Sequence, residues 1–159
     1  MAKDHAALEM TWPVESLVPH SGPMVLLDRF ARAGEGWAEA ELRVAEDRLF
    51  CEPGRGVPAW VGIEYMAQGI AMFAGLAARR AGREIEKGLL VGTRRYEAMR
   101  DHFPVGALLT VRVEEEIIDG PAGVFSCTIR DQTGDILAQG RLNVYVPEDQ
   151  KTFFEEQMA

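Results

Sequence analysis

The sequence is poor in the residues that metal, redox and disulfide chemistry need. Its two cysteines, Cys51 and Cys127, lie far apart, form no CxxC and have no histidine at ligand spacing, so neither a zinc site nor a disulfide framework is expected. Histidine is also scarce, with only His5, His20 and His102 present. Lys and Arg number 17 against 25 Asp and Glu, a net charge of −8. That balance argues against nucleic acid, because affinity for phosphate backbones comes from clustered cations that release counterions. There is no internal repeat and no low-complexity run. The first residues, MAKDHAALEMTWP, carry Asp4 and Glu9 and no apolar core of a secretory leader, so a reducing cytoplasm is the expected location. No metal and no bound cofactor is expected.

What positive charge exists gathers in the middle third, at Arg79, Arg80, Arg83, Lys87, Arg94, Arg95 and Arg100. Two readings stand: a solvated helix end favoured by the dipole, or a docking rim for a partner, with Arg79, Arg80, Arg94 and Arg95 as its candidate contacts.

With 159 residues and 47% hydrophobic content, the chain suits one domain spanning 1–159, with a core over about 14–147. Its most informative stretch is residues 59–78, AWVGIEYMAQGIAMFAGLAA, an almost wholly apolar segment of helical length broken by Glu64, with Gln68 one turn further on. An all-round apolar helix is expected to be enclosed on all sides. A carboxylate within it must be paired, solvated by a site or neutralised by a raised pKa. A structural glutamate is the plain alternative. The length would also span a bilayer, but Glu64 would cost about 2.5–3.5 kcal/mol near its centre and nothing else supports insertion, so a core helix is expected and no membrane span.

Along the chain, Val14 to Val18 reads as a short helical turn, and His20-Ser21-Gly22-Pro23 as a loop. MVLLDRFARA begins a strand, and WAEAELRV (37–44) alternates as its hairpin partner. CEPGRGVP (51–58) is a bent loop feeding the helix, with Pro58 in the first turn and Gly82 as the stop after Arg79, Arg80 and Ala81. LLVGTRRYEA, LLTVRVEEEII and a hairpin turning at Gln132–Asp135 follow as strands, Pro147 ends the sheet, and DQKTFFEEQM (149–158) forms a short terminal helix. The fold class is α+β, an antiparallel sheet wrapped around one long helix, with strand edges that favour dimerisation.

Three segments in order resemble a known family. Val18-Pro19-His20-Ser21-Gly22-Pro23-Met24-Val25-Leu26-Leu27-Asp28-Arg29 resembles the LPHRxPFLLVDR stretch of the hot-dog-fold 3-hydroxyacyl-ACP dehydratases, where ACP is acyl carrier protein. Val57-Pro58 through Glu64-Tyr65-Met66-Ala67-Gln68 resembles their MPG…EAMAQ, and Leu90-Val91-Gly92 through Pro104-Val105-Gly106-Ala107-Leu108 their third motif. PHSGPMVLLDR with WVGIEYMAQ and LLVGTRRYE is most similar to the divergent branch of aryl polyene biosynthesis. The resemblance implies a hot-dog subunit that pairs side by side, as a homodimer or with another hot-dog subunit, and a substrate acyl chain carried on the phosphopantetheine of an acyl carrier protein. One departure stands out. The family's catalytic histidine belongs to a loop HFPGxPxMPG, and the matching Phe50-Cys51-Glu52-Pro53-Gly54-Arg55-Gly56-Val57-Pro58 has none.

Dehydrating a 3-hydroxyacyl thioester needs one group to take the C2 proton and another to protonate the departing C3 hydroxyl. Glu64 suits the acid role or a shared acid/base role, Gln68 on the same helical face suits orienting it, and His20 is the better candidate for the base. A loop histidine that merely fixes its turn is the plain alternative for His20, and His102 reads as a surface residue. Cys51 reads as a small buried thiol near the substrate, and Gly62 with its first-turn neighbours as amide donors to a thioester carbonyl. Trp60, Tyr65, Met66, Met72 and Phe73 line either an acyl tunnel or simply the core. Three functions compete: dehydration of a 3-hydroxyacyl-ACP to the trans-2-enoyl thioester, a non-catalytic partner of another hot-dog dehydratase, and acyl thioester hydrolysis by a helix carboxylate.

Overall fold

Alternating sequence becomes strand here, and the one uninterrupted apolar run becomes helix. The computed structural model describes residues 12–147, 149–150 and 155–156. Strands β1 (Arg29–Gly34) and β2 (Trp37–Arg43) form the first hairpin, and β3 (Val57–Pro58) leads through a 3₁₀ turn (Ala59–Val61) into helix α1 (Gly62–Arg80). Then come β4 (Leu89–Ala98), β5 (His102–Phe103), β6 (Leu108–Asp119), β7 (Ala122–Arg130) and β8 (Ile136–Tyr145). Six strands make one antiparallel sheet in the order β1-β2-β6-β7-β8-β4, and β3 pairs with β5 apart from it. One long helix packed against a large antiparallel sheet is the architecture expected from the sequence.

The register sorts the two faces of the sheet. Ala38, Ala40 and Leu42 of β2, Leu109, Val111 and Val113 of β6, and Phe125, Cys127 and Ile129 of β7 all point inward and are buried, as period-two alternation requires. Against them lies α1, with Phe73 edge-on to Phe125 at 5.7 Å. The helix comes close because it carries glycine where it touches. A Cβ on Gly69 would meet Val113 at 2.9 Å, and one on Gly75 would meet the carbonyl oxygen of Leu17 at 1.7 Å. The helix ends as expected. Gly82 takes φ 69, and Arg83 N–H donates to Ala78 O at 2.8 Å, closing the last turn with a left-handed glycine.

Two expectations need correction. Residues 24–28 do not begin a strand: Gly22–Met24 is a 3₁₀ turn and ladder pairing starts at Arg29. The reason is that the backbone of residues 24–26 is bound by side chains instead, through Gln68 and Arg48. Nor is α1 enclosed on all sides. Ala59–Arg80 is long and apolar enough to cross a membrane by length and composition, and 61% of its apolar window is buried inside the protein, but Ala74 and Ala77 are exposed and Ala67 and Ala71 half-buried. The sheet covers one side of the helix and leaves a stripe of small residues open. The expected terminal helix at 149–158 lies largely outside the described residues.

Candidate active site

Glu64 sits in the first turn of α1, where the helix dipole favours a carboxylate. Facing it is His20, from the loop between two 3₁₀ turns, Val14–Ser16 and Gly22–Met24, with Nε2 3.7 Å from Glu64 Oε1. Both are partly open to solvent, at 27% and 39% side-chain exposure. The charge the sequence places inside an apolar helix therefore reaches a cleft, and burial falls on its neighbour: Gln68 is 0% exposed.

Gln68 accounts for the pairing. Its amide nitrogen donates to Met24 O at 2.7 Å and to Glu64 Oε1 at 3.1 Å, while its Oε1 accepts from Leu26 N–H at 2.9 Å. Arg48 holds the same loop from the other side, donating to Leu26 O at 2.8 Å and pairing with Asp28. A buried amide with its donors and acceptor occupied fixes geometry, because any rearrangement leaves a polar group unpaired. The loop carrying His20 is thus tied to the helix carrying Glu64. His20 Nδ1 is buried without a hydrogen-bond partner among the described residues.

From this pair a groove of about 400 Å³ runs beside α1. Pro19, His20 and Glu64 line one end, and Arg83, Glu86 and Gly88 line it beyond the helix. Between them stand Ala67, Ala71, Ala74 and Ala78 on the helix side, facing Leu89, Leu90, Ile118, Phe125 and Val144 from the sheet. The arrangement is a histidine and a carboxylate, groups able to take part in proton transfer, at the head of a long and mostly apolar slot.

Other sequence candidates fall elsewhere. Gly62 is buried under Tyr96, Phe103 and Ile129, and its N–H already donates to Ala59 O and Trp60 O, so it offers no amide to a carbonyl. Tyr65 packs on Phe103 at 3% exposure, and Met66 and Met72 are fully buried, which makes them core. Trp60, 62% exposed, lies edge-on to Phe50 outside the groove, and only Phe73 of the aromatic and methionine set lines it. Cys51 is half-buried and also outside, and burial, with nearby Glu46, Asp47 and Glu52, raises its thiol pKa. His102 pairs with Glu52 at 3.0 Å, far in role from Glu64. His5 lies outside the described residues. Of the arginines, Arg79 donates to Ser16 O and Arg95 pairs with Glu97, while Arg94 lines a second hollow, of about 330 Å³, with Ile117 and Asn143. Among the described residues no His, Cys, Asp and Glu cluster is arranged to hold a metal ion. The alanine wall was not singled out from the sequence, although Ala67, Ala71, Ala74 and Ala78 recur at helical spacing from Glu64 and carry that signal.

Residues 12–155 match the ApeP-like family, described as the ApeP dehydratase. The chain belongs to the ApeP-like family. It is accordingly a dehydratase, a lyase of the aryl polyene type. Among solved structures, a chain of "The Dehydratase Heterocomplex ApeI:P from Xenorhabdus doucetiae" aligns at 27% identity and TM-score 0.82, covering 89% of this chain and 95% of that one. A hypothetical thioesterase with coenzyme A from Streptococcus pneumoniae TIGR4 aligns at 13% identity and TM-score 0.57, over 75% of this chain and 84% of that one. The PaaI protein of the E. coli phenylacetic acid degradation operon aligns at 15% identity and TM-score 0.56, over 73% and 80%. These last two show the hot-dog fold alone. No curated protein matches the sequence. For an ApeP-like dehydratase, the missing loop histidine at residues 50–58 makes the His20–Glu64 pair the notable arrangement.

Proposed function

We propose that the chain removes water from a 3-hydroxyacyl thioester carried on acyl carrier protein, giving the trans-2-enoyl thioester, with Glu64 as the proton-transfer group and His20 as the hydrogen-bond donor beside it. The observation that carries this is the 3.7 Å approach of His20 Nε2 to Glu64 Oε1 at the head of an apolar groove. The separation exceeds a hydrogen bond, which is ordinary for a site without substrate.

The roles follow from His20 Nδ1. A buried nitrogen without a partner costs less as a bare lone pair than as an unpaired N–H, so the ring proton is assigned to Nε2, toward Glu64. In that state the Glu64 carboxylate takes the C2 proton. The C2–H electrons form the C2–C3 double bond, the C3–O bond breaks, and Glu64 delivers the captured proton to the leaving oxygen to give water, which restores its carboxylate. His20 Nε2–H donates a hydrogen bond to the departing oxygen and keeps its own proton. This uses the shared acid/base capacity of Glu64 and gives His20 the hydrogen-bonding half.

The chain works beside a second hot-dog subunit in this reading. The ApeI:P relative is a heterocomplex, and here β4 is an unpaired edge whose first residues, Leu89, Leu90 and Val91, are exposed. An edge strand that opens on three exposed apolar residues calls for a neighbour there. Leu89 and Leu90 also line the groove, so a subunit placed there would complete its wall. Arg79, Arg80, Arg94 and Arg95 are the proposed contacts for the carrier protein, and the phosphopantetheine arm comes with the substrate.

The test is to incubate the purified protein with a 3-hydroxyacyl-ACP and follow intact mass and free thiol together. Loss of one water without thiol release, abolished by Glu64→Gln, supports the reading. Thiol release would make it a thioesterase. No change alone or beside a second hot-dog subunit, or normal turnover by folded Glu64→Gln, would overturn it.

A further inference from the structure

The groove has a definite length and a definite wall, and both bear on which chains the enzyme prefers. Glu64, Ala67, Ala71, Ala74 and Ala78 fall on one stripe of α1, and all five line the groove. At a rise of 1.5 Å per residue, Ala71 lies about 10 Å, Ala74 about 15 Å and Ala78 about 21 Å along the axis from Glu64. An extended chain advances about 1.2 Å per bond, as an extended backbone does. The apolar lining beside α1 therefore matches roughly seventeen bonds beyond the reacting carbons, and a short chain fills only its head. Past Ala78 the lining turns to Arg83 and Glu86, where apolar contact ends and charge begins.

What keeps this stripe open is the small size of its alanines, Ile70 and Phe73 being the bulkier helix residues that also line the groove. The facing sheet residues, Leu90, Ile118, Phe125 and Val144, are large. Any residue larger than alanine at position 71 or 74 would extend toward them and stop a chain at that depth. Ala74 is exposed, and Ala71, half-buried where it packs on the core, also lines the groove, so larger side chains at these positions have the groove to enter.

We infer that Ala71 and Ala74 are specificity-determining residues that set how deep an acyl chain can enter the groove. This rests on the dehydratase reading above and adds what limits the length of its substrate.

Ala71→Phe and Ala74→Trp test it, measured with a series of 3-hydroxyacyl-ACP substrates of rising chain length. Binding of the matching 3-hydroxyacyl pantetheine amides is measured by calorimetry in parallel. The wild type should turn over and bind long chains better than short ones. In both variants the long-to-short ratio of kcat/KM and of affinity should fall at least tenfold. The cut-off should lie at about nine bonds for position 71 and about twelve for position 74. An unchanged ratio in variants that melt as the wild type does, or a loss equal at every length, would overturn the inference. Absence of water loss by the wild type at every length, both alone and beside a second hot-dog subunit, defeats the dehydratase reading only, since the binding series still reports the length dependence.

Discussion

Gln68 Nε2 donates at once to Met24 O at 2.7 Å and to Glu64 Oε1 at 3.1 Å, so one buried amide joins the loop that carries His20 to the carboxylate it faces. The two halves of the candidate pair come from residues 44 positions apart. Their alignment depends on a residue that does no proton transfer.

Gln68→Leu should therefore be costly twice. It leaves Leu26 N–H and Met24 O without partners in the interior, each worth about 1–3 kcal/mol. Urea unfolding should show a loss of roughly 2–4 kcal/mol, and the remaining folded enzyme should have a lower kcat as the loop shifts.

Glu64→Gln and His20→Ala should do the opposite, removing activity and sparing the fold. Both side chains are partly solvent-exposed and neither packs the core. Loss of either member of the pair should reduce kcat by about 10²–10⁴-fold, with a melting temperature close to that of the wild type. A loss under tenfold for His20→Ala would return it to a turn-fixing role.

Gly75→Ala should damage the fold without touching the pair. The added Cβ would sit 1.7 Å from Leu17 O, and backbone on both sides cannot yield cheaply. Overpacking of this kind costs typically about 1–3 kcal/mol or more. The shift should also weaken the contact of Arg79 with Ser16 O. A thermal melt lower by several degrees checks it, and an unchanged melt would refute the close approach.

Acid should destabilise the protein partly through Glu39. Burial pushes its carboxyl pKa up, but hydrogen bonds and charge from Arg32 and Arg112 outweigh burial and hold it below the ordinary 4.5. A carboxyl depressed in the folded state contributes stability that is full above its unfolded pKa and lost as pH falls through the folded one. Unfolding free energy should thus decline below about pH 4.5, and Glu39→Gln should flatten that decline. An equal slope in the variant would remove Glu39 from the account.

The elements themselves were legible because each has its own local period. LLVGTRRYEA is β4 to the residue, the turn at Gln132–Asp135 divides β7 from β8, and Gly82 stops α1. Glu64 stood out as the one charge in an apolar run. MVLLD misled because a short apolar run after a loop reads as a buried strand, while its backbone partners are the side chains of Gln68 and Arg48. Gly62 misled because a helix start offers amides in general, and here the 3₁₀ turn already uses them.

By itself the sequence determined the periodicities: which segments are strand, where the one long helix lies, which turns carry glycine, and that a carboxylate belongs to the helix. Only the tertiary structure decided which side of that helix the sheet would leave open. It also decided that His20, rather than His102, meets Glu64, that Gln68 is the buried member, and that Trp60, Tyr65 and Cys51 stand apart from the groove. The physical reason is range. Secondary structure follows from neighbours within a few residues, whereas a site is assembled by contacts between distant segments whose packing no local pattern encodes.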